Sequence, residues 1–223
     1  MRKVVPVILT CDRDHTLTSR FIESFRSVSD TIGKPVVVID TSASPNLSPE
    51  FLTMVQALDP GIVAIHPPQP NMSLYESVED AADSALSTAL DHGDEDSYYL
   101  FLEDDIVFSS RFSDRLGQVR WENEFGCLTF YLPGDGFGCD LIDPSHFYGT
   151  QCVLFPRNSV EKVVTGKSEM HAAFPPGYDI RWSRYLAAQG YPLYATERSY
   201  VQHLSTLSRL HGHGTHTSRC FVP

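Results

Sequence analysis

The sequence predicts an α/β fold in which a mostly parallel central sheet carries helices on both faces. In the first half of the chain, short runs of branched apolar residues alternate with longer segments whose apolar residues recur every three or four positions. The apolar runs are continuous, as in strands that are buried on both faces. Strands that alternate with helices in this way are typical of parallel sheets with helical crossovers.

Four strands and three helices are predicted in the first half. The strands are Lys3–Thr10, Pro35–Asp40, Gly61–His66 and Tyr98–Leu102. A first amphipathic helix is predicted over Thr18–Thr31. The second helix begins at Ser48 and Pro49, an N-cap serine followed by a proline at the first helical position. The third begins at Ser73, which with Glu76 forms a capping box.

The second half of the chain has shorter predicted elements. Its strands are predicted at Cys127–Leu132, Phe147–Phe155, Leu193–Thr196 and Tyr200–His203. Its helices are a short one that follows Ser109 and closes at Leu116–Gln118, one over Ser159–Thr165 capped by Asn158, and one over Asp179–Gln189 that ends at Gly190. No repeat and no interdomain linker is apparent, so a single domain is expected.

Composition limits the classes of function. The net charge of −11 disfavours a broad electrostatic contact with nucleic acid, because phosphates are neutralised by clustered Lys and Arg. No apolar stretch has the length of a membrane span. The five cysteines are scattered without CxxC spacing, which favours reduced thiols and a cytoplasmic location and gives no indication of zinc.

Three consecutive carboxylates, Glu103, Asp104 and Asp105, directly follow the fourth predicted strand. In open parallel sheets, ligands lie beyond the carboxyl ends of the strands. Thr10, Arg13 and Asp40 follow two other strands, so polar groups from three strands are expected at the same edge. Carboxylate oxygens are the ligands that Mg²⁺ and Mn²⁺ prefer, and the triplet therefore predicts a divalent-cation site. Turn residues at a strand end are the alternative interpretation.

These segments, taken in order, resemble a glycosyltransferase of the GT-A fold, whose Rossmann-like sheet carries a smaller acceptor-side half. The local sequence around the acidic triplet is similar to the type IV branching N-acetylglucosaminyltransferases and to small bacterial and phage relatives. Glu103-Asp104-Asp105 resembles the DxD motif, and Tyr200–His203 resembles the strand whose histidine completes metal coordination. The resemblance implies one domain with a nucleotide-sugar-binding half (1–108) and an acceptor-binding half (109–223) that contains this histidine and a flexible tail.

The resemblance also implies roles for individual residues. Asp105 and His203 would bind Mn²⁺ or Mg²⁺. Donor contacts would come from Thr10, Arg13, Asp40, Asn71, Glu103, Asp104 and Ser208, where Glu103 could instead be structural. Ser208 matches the family spacing, but Ser205 stands where similar enzymes have glycine.

A catalytic base is expected from Asp179, at the start of a predicted helix, or from Asp135, in the glycine-rich loop 134–138. Asp179 as an ordinary helix cap is the alternative. Tyr178 and Trp182 could stack against an acceptor or belong to the core. The segment 209–223, which contains His211, His213 and His216, is expected to be a flexible tail or a lid over the diphosphate.

The function expected from the resemblance is metal-dependent transfer of a sugar from a nucleotide sugar, UDP-linked by preference, to a hydroxyl acceptor with inversion of configuration. The acceptor could be a glycan, a lipid-linked saccharide, a small molecule or a hydroxymethylated base in phage DNA. A nucleotidyltransferase is the alternative enzyme. It usually has a glycine-rich phosphate loop after its first strand, and residues 11–15 contain no glycine. A non-catalytic nucleotide-sugar-binding module is the third possibility.

Overall fold

Ten strands and eight α-helices form in the part of the chain that the computed structural model describes, residues 2–121, 125–133, 140–147, 149–204 and 217–223. The strands are β1 (Val4–Thr10), β2 (Val36–Asp40), β3 (Ile62–His66), β4 (Tyr98–Glu103), β5 (Ile106–Phe108), β6 (Cys127–Thr129), β7 (Asp140–Leu141), β8 (Cys152–Pro156), β9 (Leu193–Ala195) and β10 (Val201–His203). The helices are α1 (His15–Arg26), α2 (Ser29–Ile32), α3 (Pro49–Gln56), α4 (Leu74–His92), α5 (Phe112–Gly117), α6 (Arg157–Thr165), α7 (Lys167–Ala173) and α8 (Tyr178–Ala188).

Eight of the strands form one sheet in the order β3-β2-β1-β4-β8-β6-β9-β7. Strands β1 to β4 pair in parallel, and β8 is antiparallel to both of its neighbours, β4 and β6. Strand β9 is parallel to β6, and β7 is antiparallel to β9. Strands β7 and β8 are therefore antiparallel to the other six strands of this sheet. The mostly parallel sheet predicted from the sequence is therefore confirmed. Strands β5 and β10 form a separate antiparallel pair.

Helices cover both faces of the sheet, as predicted. Side chains of one face, such as Ile8 and Leu100, pack with Phe21 of α1 and Phe112 of α5 in one apolar cluster. The opposite face packs against α4, α6, α7 and α8, which contribute Ala81, Ala85, Val160, Met170 and Trp182 to a second cluster. Alternation along the strands directs successive residues into the two clusters, which explains the continuous apolar runs.

The parallel register brings the carboxyl ends of β1, β2 and β4 to one edge. Thr10 is opposite Ile39, one residue before Asp40, and Leu9 is opposite Glu103. The sequence prediction that polar groups from three strands reach the same edge agrees with this register.

Both helix caps predicted in the first half are present. The Ser48 side chain accepts a hydrogen bond from the Phe51 amide, and Ser73 and Glu76 form the complete capping box. The single helix predicted over 18–31 is instead two, because α1 ends at Arg26 and α2 covers only Ser29–Ile32.

The strand predicted over 147–155 is shorter, since β8 begins only at Cys152. A 3₁₀ turn that begins with a proline (Pro144–His146) precedes β8. Between this turn and β8, the backbone at Gly149 passes close to Thr129. A Cβ at Gly149 would lie 2.6 Å from Thr129 Oγ1, so this close approach requires glycine.

The expected cap at Asn158 is incorrect, because α6 already begins at Arg157 with Pro156 at the N-cap. The Asn158 side chain accepts from the Ser159 amide within the first turn. Helix α7 had no sequence signal: only Met170 of its seven residues is buried, so no apolar stripe appears.

Residues 217–223, within the expected tail, pack against the second half. The Gln202 side chain exchanges two 2.9 Å hydrogen bonds with the Ser218 backbone, and Ser199 forms a bridge with Phe221. This packing differs from the expectation of a flexible terminus. No helix in the described ranges combines the length and apolarity required to cross a membrane.

Candidate functional site

The acidic triplet lies where β4 ends at the centre of the sheet. Tyr99 and Phe101 belong to the cluster on the α8 side, and alternation places Glu103 on that side too. Asp104 and Asp105 form the turn into β5. The three neighbouring carboxylates therefore meet different surroundings, and each has its own partners.

Asp104 is tied to the end of β1. It is 4% exposed, accepts a 2.6 Å hydrogen bond from the Thr10 hydroxyl, and forms an ion pair with Arg13. Burial raises the pKa of Asp104 above its ordinary value, and the adjacent Arg13 charge only partly offsets this. Burial also opposes the charge of Arg13, yet Asp104 and Asp105 raise the pKa of the guanidinium. Arg13 is thus the counter-ion of this buried acidic edge.

Asp105 lies between two basic side chains. Its Oδ2 is 3.3 Å from Arg13 Nη2, and its Oδ1 is 3.1 Å from His203 Nε2. The latter contact lacks hydrogen-bond geometry, so Oδ1 is buried without a hydrogen-bond partner among the described residues. Burial works against ionisation, but His203 and Arg13 together hold the pKa of Asp105 below its usual value. Asp105 is therefore an anionic carboxylate with one oxygen that no described group satisfies.

His203 reaches the triplet through the β5–β10 pair. His203 is opposite Ile106 in this pair, and the Leu204 amide donates to the Asp105 carbonyl oxygen at 2.7 Å. Burial lowers the pKa of His203, but the adjacent Asp105 carboxylate raises this pKa by more than burial lowers it, so the net shift is upward. Two strands that are about a hundred residues apart in sequence thus hold an imidazole against a carboxylate.

Glu103 is held by two hydroxyl groups. Its Oε1 accepts a 2.7 Å hydrogen bond from Tyr178 and a 3.1 Å hydrogen bond from Thr150. Burial and the negative charge of Asp105 raise the pKa of Glu103 to about 7, although His203 and the two hydroxyls act in the opposite direction. Glu103 therefore retains its proton to higher pH than an ordinary glutamate.

Together, Glu103, Asp105 and His203 form a group that suits a divalent cation. One oxygen or nitrogen atom from each lies within 4.8 Å of the others. Two carboxylates and an imidazole fit Mn²⁺ or Mg²⁺, which take oxygen ligands and, for Mn²⁺, imidazole. Oδ1 of Asp105 also supports this fit, because it is buried without a hydrogen bond, with only the His203 ion-pair contact beside it, and a cation would satisfy it.

Two other predicted donor residues lie apart from this group. Asp40 is 4% exposed at the end of β2, and its carboxylate accepts two hydrogen bonds, from the amide and the hydroxyl of Ser42. Asn71 is exposed in the turn before α4 and has a φ of 67°, in the left-handed region that asparagine tolerates. Neither makes a direct contact with the triplet within the described residues.

Asp179 lies in the first turn of α8, beside Tyr178. The N-cap position belongs to Gly177, and Asp179 Oδ1 accepts from the Ile180 amide at 2.8 Å. Asp179 is thus part of the helix start without being its cap residue. The predicted residues Asp135 and Ser208 lie outside the described residues, as do His211, His213 and His216.

Sequence reasoning missed the partners of Glu103. Nothing in the sequence points to Thr150, and the pattern around Tyr178 predicts only stacking against an acceptor or packing in the core. Trp182 is the core residue of the pair, 1% exposed, with its indole N–H donating to Asp83. No local pattern indicates the Tyr178–Glu103 contact, because 75 residues separate the two in sequence.

The sequence matches no protein-family model and no curated protein. Solved structures do match. TarS of S. aureus, in a structure of its residues 1–349, superposes with a TM-score of 0.52 at 12% identity over 89% of this chain. The chain spans 59% of the length of that TarS structure. The chain has a GT-A-like fold.

Two further structures share this GT-A-like fold over most of both chains. The nucleoside-diphosphate-sugar pyrophosphorylase of Vibrio cholerae RC9 gives a TM-score of 0.53 at 11% identity, covering 90% of this chain and 95% of that one. The inositol-1-phosphate CTP transferase of T. maritima gives 0.50 at 11% identity, covering 88% and 85%. At such identities the likeness concerns the fold, and the chemistry must be argued from the site.

Proposed function

We propose that this protein is a metal-dependent glycosyltransferase that moves a sugar from a nucleotide sugar, a UDP-sugar in the first instance, to a hydroxyl acceptor. The observation that carries the proposal is the Glu103–Asp105–His203 group, with ligand atoms within 4.8 Å of one another, at the carboxyl edge of a GT-A-like sheet. In sheets of this kind the nucleotide lies beyond the same edge.

In this proposal Asp105 and His203 hold Mn²⁺ or Mg²⁺. A cation held by these residues would supply positive charge to the leaving diphosphate. Arg13, which is partly buried at the same edge, keeps a fixed positive charge beside Asp104 and Asp105. Asp104 is hydrogen-bonded to Thr10 and paired with Arg13, so it acts by fixing the loop that follows β1 around the donor.

The remaining roles concern the nucleoside and the acceptor. Asp40, at the end of β2, and Asn71, before α4, are proposed contacts to the donor. Asp179 accepts the proton of the acceptor hydroxyl as its oxygen attacks the anomeric carbon, which inverts the configuration. The acceptor itself is a glycan, a small molecule or a hydroxymethylated DNA base, and the net charge of −11 places DNA last.

A nucleotidyltransferase is the second candidate, and the comparisons favour it in one respect. Two of the three similar structures are, by name, a pyrophosphorylase and a CTP transferase, and they match over most of their length. Against this, the loop after β1, Cys11 to His15, has no glycine that would let its backbone wrap a triphosphate.

A product assay separates the candidates. The purified protein is incubated with UDP-, GDP- and dTDP-sugars, and in parallel with nucleoside triphosphates plus sugar phosphates, with and without Mn²⁺. Mn²⁺-dependent release of a nucleoside diphosphate is expected, and it should be lost in Asp105→Asn but kept in the control Asp30→Asn, an exposed carboxylate of α2.

Pyrophosphate release from a triphosphate would instead establish the nucleotidyltransferase. Binding of a nucleotide sugar without any turnover would indicate a binding module. Release of nucleoside diphosphate that does not depend on the metal, or that survives in Asp105→Asn, would contradict the proposed metal centre.

A further inference from the structure

Two hydroxyl groups orient the Glu103 carboxylate, and what we infer from them rests on the proposed metal centre. Tyr178 and Thr150 both donate to Oε1 of Glu103, at 2.7 and 3.1 Å. Among the described residues, no hydrogen-bond donor reaches Oε2. A carboxylate that is held on one oxygen by two hydroxyl groups has its other oxygen in a fixed direction and free to bind a cation.

The two donors come from separate parts of the chain, the residue two positions before β8 and the start of α8. Thr150 precedes β8, and the Glu103 amide donates to the carbonyl oxygen of the adjacent Gln151 at 3.2 Å, which fixes the backbone between them. Tyr178 reaches Glu103 along the face of β4, with its ring 5.9 Å from that of Phe101 and 5.1 Å from that of Trp182. The Tyr178 hydroxyl is therefore carried by packed aromatic side chains.

A buried ion pair fixes the start of α8, which carries Tyr178. Arg181 Nη1 lies 2.5 Å from Glu79 Oε2 in α4, and the Gly177 amide donates to Glu79 Oε1 at 3.3 Å. Glu79 is 2% exposed and Arg181 is 8% exposed. Gly177 has a φ of +124°, where a Cβ would lie 2.7 Å from the Tyr75 hydroxyl oxygen. The first turn of α8 is thus anchored to α4 at a point one residue from Tyr178.

We propose that Glu103 is a third protein ligand of the cation, and that Tyr178 is its positioning residue. Tyr178, assisted by Thr150, holds Oε1 of Glu103 so that Oε2 completes the group formed by Asp105 and His203. Partners that orient a metal ligand typically change metal affinity by about 10- to 100-fold when they are removed.

The test is direct Mn²⁺ binding to the full chain, measured by electron paramagnetic resonance without nucleotide or substrate. Tyr178→Phe keeps the ring and removes the hydroxyl, and we expect it to raise the Mn²⁺ dissociation constant by about 10-fold. Tyr185→Phe is the matched control. It is on the same helix and likewise removes a hydroxyl that donates to a carboxylate, that of Glu169 at 3.2 Å. It should leave Mn²⁺ affinity unchanged.

A double-mutant cycle with Glu103→Gln distinguishes an effect of Tyr178 through Glu103 from a nonspecific disturbance of the metal site. If Tyr178 acts through Glu103, Tyr178→Phe should weaken Mn²⁺ binding in the wild-type background and have no further effect in Glu103→Gln. Two results would overturn the inference and leave the proposed function standing. One is an equal loss of Mn²⁺ affinity from Tyr178→Phe in both backgrounds. The other is wild-type Mn²⁺ affinity in Tyr178→Phe while Asp105→Asn loses Mn²⁺ binding. Unchanged Mn²⁺ affinity in Asp105→Asn overturns both. Circular dichroism and urea unfolding confirm that each variant is folded.

Discussion

Arg13 Nη2 lies 3.3 Å from Asp105 Oδ2, so the carboxylate proposed to bind a cation already has a cation from the protein on its other side. The same nitrogen pairs with Asp104. Arg13 therefore balances buried negative charge in the absence of metal, and it remains in place to meet the charge of a diphosphate when one is present.

Replacing Arg13 should destabilise the protein strongly. Arg13→Met removes the counter-ion of two buried carboxylates, and we expect the free energy of unfolding without metal to fall by about 3–5 kcal/mol near neutral pH. Added Mn²⁺ should restore part of this loss, because a ligand that binds only the folded state stabilises it. Urea unfolding with and without MnCl₂ measures both effects.

Arg26→Met is the control for this change. Arg26 is exposed in the last turn of α1 and donates one hydrogen bond, to the Ala57 carbonyl oxygen, so its loss should cost less than about 1 kcal/mol. Equal losses in the two variants would show that Arg13 is not the counter-ion of the acidic edge.

Mn²⁺ affinity should increase with pH around neutrality. Burial raises the pKa of Glu103 to about 7, and the Asp105 carboxylate raises the pKa of His203 against the effect of burial. Both groups must lose a proton to bind a cation, so affinity should be weak at pH about 6 and rise by up to about tenfold per pH unit for each proton released.

Isothermal titration calorimetry in buffers of different ionisation enthalpy counts the released protons directly. Glu103→Gln should bind Mn²⁺ more weakly and release fewer protons than wild type. An affinity that does not change across this pH range would contradict the assignment of these groups as ligands.

Asp179→Asn should slow the transfer step without weakening donor binding. Loss of a general base typically costs about 10²–10⁴ in rate, and the amide preserves the size of the side chain. Steady-state kinetics should therefore show a lower kcat, while Mn²⁺ and nucleotide affinities stay within about twofold of wild type. Weaker donor binding with an unchanged rate would instead make Asp179 a donor contact. Asp30→Asn again serves as the control.

Arg181→Met should destabilise the protein in a pH-dependent way. Burial raises the pKa of Glu79 above its usual value, and Arg181 partly offsets this shift. Without Arg181, the pKa of the Glu79 carboxyl in the folded state rises further. The gap between its folded-state pKa and its unfolded-state pKa therefore widens. The loss of stability should therefore be small near pH 4.5 and grow with rising pH, to about 3–5 kcal/mol at its full extent.

Urea unfolding at a series of pH values measures this dependence. Arg184→Met, one turn further along α8 and only partly buried, is the matched control, and it should change stability by less than about 1 kcal/mol at every pH. A loss in Arg181→Met that is independent of pH would show that the charge of Glu79 is not its cause.

The sequence predicted the parts of the fold that depend on local patterns. Hydropathy and capping residues located β1, β2, β4, α3 and α4, because each of these elements buries a continuous or periodic apolar surface. Strand β3 was also located by its branched apolar residues, although Val63 and Ile65 are exposed. Helix α7 was missed because it buries only Met170. The short β5, Ile106–Phe108, is continuous in sequence with the apolar run of β4, and only its pairing with β10 makes it a separate strand.

The candidate site was predictable in its residue types but not in its partners. A strand end with three carboxylates points to Glu103, Asp104 and Asp105, yet the resemblance leaves Glu103 as either a donor contact or a structural residue. Its partners Thr150 and Tyr178 are 47 and 75 residues away, and they are brought to it only by β8 and α8. Which carboxylate faces which group depends on strand alternation and tertiary packing, and a single sequence does not encode either in its local pattern.

The pairing of β5 with β10 also has a consequence for how the protein is made. During synthesis the ribosome completes Asp105 long before His203, since about a hundred residues lie between them. Until β10 has emerged, the nascent chain has a cluster of carboxylates at the end of β4 with no imidazole beside it. Because a long loop must close before contacts of such sequence separation form, we expect the site to assemble late in folding.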